Sequence, residues 1–95
     1  MTLEIKAVHF DLPQEYRELI EKKVHKIEYA QDMIVDLLFT ITKEKSYVLE
    51  ATLNFRWGAS HHLKVKNFNI RDGIEKLFDK IDAKVSKEKE KIKQH

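Results

Sequence analysis

Hydrophobic and polar positions change period several times along this chain, and each change marks a predicted element. Leu3, Ile5 and Ala7 alternate with Glu4 and Lys6, the two-residue period of a half-buried strand reaching about Phe10. Asp11 then precedes Leu12-Pro13-Gln14, where a capping carboxylate and an early proline predict a helix start. Tyr16, Leu19, Ile20, Val24 and Ile27 form the apolar stripe of that helix, which is expected to run to about Glu28. From Ile34 to Thr42 the residues are β-branched and aromatic, and Lys43-Glu44-Lys45-Ser46 supplies a short hairpin connection. Tyr47, Leu49, Ala51, Leu53, Phe55 and Trp57 alternate strictly with Val48, Glu50, Thr52, Asn54 and Arg56, giving a long third strand. Gly58-Ala59-Ser60 turns the chain and His61 to Phe68 returns. The final stripe, Ile70, Ile74, Leu77, Phe78, Ile81, Val85 and Ile92, has helical spacing and predicts a helix from about Ile70 to the end.

The order β-α-β-β-β-α predicts an α+β fold, a four-stranded mixed sheet with two helices packed on one face. Ninety-five residues suit a single domain spanning 1–95. A right-handed first crossover makes the first two strands parallel if they are neighbours, and the hairpins make the rest antiparallel. The open sheet face is then expected to show Glu50, Thr52, Asn54, Arg56, Lys64 and Lys66. Tyr47, Phe55 and Trp57 fall on the core side. Trp57, beside Gly58 at the strand end, is the one placed to stay exposed and stack on a base.

Charge changes the picture more than composition does. The chain is 42% hydrophobic and 36% charged, as a folded domain is, with a net charge of only +2. Its distribution is uneven: residues 1–60 carry 8 basic and 10 acidic side chains, residues 61–95 carry 10 and 6. In the last helix Lys76, Lys80, Lys84, Lys87 and Lys91 follow at steps of three and four and so share one flank. Asp72, Glu75, Asp79, Asp82 and Glu90 share the other. A solvated helix usually interleaves its signs, whereas a segregated lysine row suits a polyanion, with nucleic acid the first candidate. The first helix adds Lys22, Lys23 and Lys26, with Lys23 at the margin of the apolar stripe, where its stem can be buried. With the helices side by side, this cluster is expected to line up with the lysine row.

Catalytic chemistry finds little support. There is no cysteine, and Ser46, Ser60 and Ser86 have no evident base partner. His61 and His62 are adjacent on a strand and should point to opposite faces, which argues against a shared metal ion. No glycine-rich phosphate loop is present. The expectation is a non-enzyme without cofactor or metal. The alternating start is unlike a signal peptide and no run reaches the ~20 apolar residues of a membrane span, so the expected location is the cytoplasm, away from membranes.

The segments IKAVHFDLPQEYRELIEKKVHKIE, EATLNF and IRDGIEKLFDKIDAKVSKEKEKIKQH resemble the ribosome hibernation promoting factors, also called ribosome-associated translation inhibitors. The resemblance spans nearly the whole chain and includes its element order. It implies a non-catalytic protein that binds ribosomal RNA of the small ribosomal subunit in stationary phase or stress, in the channel where messenger and transfer RNA sit. It implies RNA contacts at Lys23, Lys26, Lys80, Lys87, Lys89 and Lys91, to which helical spacing adds Lys22, Lys76 and Lys84. It implies no DNA partner and a monomer off the ribosome. The chain departs from the family pattern at Ala83, where arginine is common, and at Arg71, where tyrosine is common. Ending at His95, it resembles the short form, without the added C-terminal domain of longer members. Two alternatives stand beside this: a double-stranded RNA-binding domain, whose α-β-β-β-α order is embedded here, and a module for an acidic protein partner.

Overall fold

A computed structural model describes residues 1–93, with side-chain environments described through residue 91. The elements are β1 (Thr2–Val8), α1 (Gln14–Val24), a 3₁₀ segment (His25–Ala30), β2 (Ile34–Lys43), β3 (Tyr47–Phe55), β4 (Ser60–Asn67) and α2 (Ile70–Lys93). The sheet order is β1-β2-β3-β4, with β1 parallel to β2 and the other neighbours antiparallel. This is the mixed α+β sheet expected from the alternation and the crossover rule.

Burial follows the two periods. Leu37, Phe39 and Ile41 of β2 and Leu49, Ala51, Leu53 and Phe55 of β3 point to one side, where they meet Ile70, Ile74, Leu77, Phe78, Ile81 and Val85 of α2. Phe39 stacks on Phe78 with centroids 5.4 Å apart. Ile92, placed on the same stripe by spacing, lies outside the described side chains. Gly73 lets α2 approach closely, since a Cβ there would stand 2.6 Å from a methyl of Leu49. The helix begins at a cap: the Asn69 side-chain oxygen accepts the Asp72 N–H at 3.1 Å.

Three local expectations are corrected. The first helix does not continue as α to Glu28 but tightens into 3₁₀ after Val24. Val24, Ile27 and Ala30 are all buried at steps of three, and a three-residue turn keeps them in line where an α-helix would swing them apart. Asp11 does not cap α1. Pro13 holds the cap position without a side-chain bond, its carbonyl accepting Tyr16 N–H at 3.0 Å, and Asp11 lies too far upstream. β3 ends at Phe55, so Arg56 leaves the open face and its N–H donates to the Met33 carbonyl at 3.0 Å. Trp57, one residue on, is 45% exposed.

The open sheet face carries polar pairs. Asn54 Nδ2 donates to Asp36 at 2.7 Å, and the His62 ring bridges Thr52 at 3.1 Å and Glu50 at 3.2 Å.

Candidate nucleic-acid interface

α2 lies across β3 and β4, so its two charged flanks meet different surroundings. On one flank Glu75 stands 3.6 Å from Lys23 of α1, and Asp82 accepts the Tyr29 hydroxyl at 3.1 Å. Tyr29 also bonds Ser86 at 3.1 Å and carries the Lys89 ammonium 4.8 Å above its ring. Glu75 and Asp82 are therefore turned toward α1 and the 3₁₀ segment, while Asp72, Asp79 and Glu90 remain exposed. On the other flank Lys80 donates to the Lys64 carbonyl of β4 at 3.3 Å, which sets the lysine row above the edge strand.

This arrangement corrects the expected alignment of the two lysine groups. Lys22, Lys23 and Lys26 lie beside the acidic flank, not in line with Lys76, Lys80, Lys84, Lys87 and Lys91. A helix presenting acids toward its neighbour draws the neighbour's lysines to that side. Lys23 behaves as its marginal position implies, with a largely covered stem and its amine at Glu75.

The basic surface thus has two parts. The first is the α2 row, with Lys76, Lys80, Lys87 and Lys91 exposed and Lys84 half-buried. Lys64 and Lys66, exposed on β4 but directed to the open face, adjoin it at the sheet edge. The second is a cleft of about 510 Å³ between the helices, lined by Leu19, Lys22, Lys23, His25, Lys26, Arg71 and Glu75. Arg71 joins the α1 lysines there, a placement that reading the last helix alone did not reveal. Each part offers ammonium or guanidinium groups to phosphates, and neither contains a nucleophile paired with a base.

A residue absent from the sequence-derived site organises the far end of the row. Glu88 is only 4% exposed, within 2.9 Å of His61 Nε2 and 3.5 Å of Lys91 Nζ. Burial works to raise its pKa. The His61 hydrogen bond, the Lys91 and His61 charges and the Lys91 hydrogen bond together outweigh that and hold it below the ordinary glutamate value. The signal was present in the spacing: Glu88 follows Ile81 by seven and Val85 by three, on the buried stripe. His62 points the other way, so the two adjacent histidines do serve opposite faces. Among the described residues no three His, Asp or Glu side chains gather in a way that could hold a metal ion.

Fold and surface together define a small α+β protein with a polar open sheet and two lysine-rich surfaces carried by its helices. The chain belongs to the ribosomal S30AE family, whose model, described as Sigma 54 modulation protein / S30EA ribosomal protein, matches residues 3–93. It is 28% identical over 96 residues to the ribosome hibernation promoting factor of Escherichia coli K12, with the whole of both chains covered. The corresponding protein of Salmonella typhimurium LT2 is 26% identical over the same length, again with both chains covered in full. Among solved structures, a ribosomal subunit interface protein from Coxiella burnetii superposes with a TM-score of 0.85 at 22% identity, covering 94% of this chain and 98% of that one. The N-terminal domain of Thermus thermophilus Protein Y gives 0.80 at 14% identity, over 92% and 98%. At these identities the two structures speak to the fold.

Proposed function

We propose that this protein is a non-catalytic, cytoplasmic ribosome hibernation factor. It occupies the messenger and transfer RNA channel of the small ribosomal subunit and represses translation in stationary phase or stress. Ribosomal RNA is held by the α2 row, Lys76, Lys80, Lys84, Lys87 and Lys91, with Lys89 and with the α1 group Lys22, Lys23 and Lys26. Full-length similarity to hibernation promoting factors supports the ribosomal partner. One observation carries the assignment of the surface: the basic flank of α2 lies over the β4 edge, on the side away from Glu75 and Asp82, which meet Lys23 of α1 and Tyr29 of the 3₁₀ segment. Charge that would otherwise cancel along the helix is therefore sorted, and the lysine side attracts phosphate.

The test is charge reversal at Lys76, Lys80 and Lys87, all exposed, leaving Lys84, which is half-buried, and Lys91, which faces Glu88. Glutamate forms helix about as well as lysine, so circular dichroism should be unchanged. Co-sedimentation with ribosomes and inhibition of translation should both be lost. Asp79 and Glu90 changed to lysine form the control and should leave binding intact or slightly stronger. Glu75 and Asp82 are unsuitable for that control because they hold Lys23 and Tyr29. Undiminished sedimentation of the folded triple variant would remove the α2 row from the site.

A further inference from the structure

We infer that Trp57 is a base-stacking contact, extending the RNA-binding surface from the C-terminal part of the lysine row onto the β3–β4 turn. The inference rests on the proposed RNA binding and adds to it a contact that reads a base instead of a phosphate.

The turn fixes the backbone around Trp57, and the stack on Phe55 orients its indole. Phe55 N–H donates to the Ala59 carbonyl at 2.8 Å, Gly58 N–H to the Phe55 carbonyl at 3.0 Å, and Arg56 N–H to the Met33 carbonyl at 3.0 Å. Gly58 takes a φ of 88°, which a residue with a side chain adopts only with strain, and so keeps this turn tight. Backbone bonds on both sides of Trp57 therefore anchor it before any partner arrives, which lowers the ordering cost of a contact there.

The ring geometry completes the platform. Trp57 stacks on Phe55 with centroids 5.2 Å apart and planes 22° from parallel, yet it remains 45% exposed. A near-parallel stack covers one face of a flat ring and leaves the other for a second flat ring. The other exposed aromatics lack this arrangement. Tyr29 already carries Lys89 over its ring and has Asp82 and Ser86 at its hydroxyl. Phe68, 84% exposed, has no ring stacked beneath it among the described residues.

Position argues for a nucleotide as the occupant. Phe55 meets the edge of His61 at 5.7 Å, His61 meets Glu88 at 2.9 Å, and Glu88 meets Lys91 at 3.5 Å. A short chain of contacts thus joins the indole to the lysine row. Arg56, exposed immediately before Trp57, supplies a guanidinium for a phosphate flanking the stacked base. An unpaired base of ribosomal RNA is the flat, apolar-faced and phosphate-linked group that fits an exposed indole next in sequence to Arg56 and joined through Phe55, His61 and Glu88 to Lys91.

The experiment measures affinity for isolated small ribosomal subunits at fixed salt, comparing wild type with Trp57→Phe, Trp57→Leu and Trp57→Ala. Hydroxyl-radical footprinting reads the oxidation of Trp57 in free and bound wild-type protein. Phenylalanine should retain most of the affinity. Leucine and alanine should lose between about 5-fold and 100-fold, the range expected for one stacked base, with an unchanged salt slope because no phosphate contact is removed. Trp57 should be protected in the complex. Leucine binding as well as tryptophan would replace the base with an apolar protein contact and overturn the inference. An unprotected Trp57 in bound wild-type protein would overturn it whether or not the variants fold. Those results leave the proposed function standing, whereas wild-type protein that does not bind the subunit at all overturns both.

Discussion

The Glu88 carboxylate of α2 sits 2.9 Å from Nε2 of His61 on β4, nearly out of contact with solvent, and ties the lysine-rich end of the helix to the edge strand. Buried carboxylates are costly unless hydrogen-bonded and paired, and here both conditions are met by His61 and Lys91. Removing the carboxylate leaves a part-buried imidazole without its partner. Glu88→Ala should cost roughly 1–3 kcal/mol in urea unfolding. Glu88→Gln, which keeps a neutral hydrogen bond, should cost less. The pH dependence has a definite sign. Because the folded pKa is lowered from about 4.5, the ionised group stabilises the fold above that value, and the contribution is lost as pH falls through the folded pKa. The gap between wild type and Glu88→Gln should therefore be full near neutrality and close in acid. A gap that widens below pH 4.5 would contradict the pairing.

Salt provides a second measurement. If about four to six lysines neutralise phosphates on unpaired RNA, log Kd against log salt should have a slope of magnitude near 3 to 4. The triple reversal at Lys76, Lys80 and Lys87 should flatten it. A slope near zero in the wild type would indicate a packed protein interface and not an electrostatic one.

His9 follows β1 with a φ of 68°, in the left-handed region that crowds a Cβ. His9→Val should destabilise by about 1–2 kcal/mol, since a β-branched residue tolerates that conformation poorly. His9→Gly should change stability by less than about 1 kcal/mol, with relief of strain set against a more flexible unfolded chain. Urea midpoints at constant m-value decide it.

Metal should have no effect. His61 and His62 are directed to opposite faces of β4 and each already has a carboxylate partner. A chelator should leave the melting temperature and ribosome sedimentation unchanged. Stoichiometric zinc in tag-free protein would overturn this.

Much of the fold was legible because the periods are clean: two along β3, from Tyr47 to Phe55, and near 3.6 along α2 from Ile70 to Val85. The departures occur where a tertiary contact outweighs local pattern. Val24, Ile27 and Ala30 choose a three-residue turn to stay buried, and Trp57 leaves its alternation because the strand ends two residues earlier. In the candidate site, spacing alone sorted lysines from acids on α2. It did not say which flank meets α1, since amphipathicity fixes which stripe faces the sheet and not which side faces a neighbour. The available clue was complementarity between Lys23 and Glu75, residues far apart in sequence.

The placement of α1 against one flank of α2 also bears on how the molecule approaches a partner. Cations stand on both flanks of α2, with Lys22, Lys23, Lys26 and Arg71 around the inter-helix cleft on one side and the lysine row on the other, while Asp72, Asp79 and Glu90 are exposed on the ridge between them. With a net charge of only +2, the pull on a polyanion is therefore local to two separate faces, and each face acts within about a Debye length, ~8 Å at physiological ionic strength, instead of through the field of the molecule as a whole.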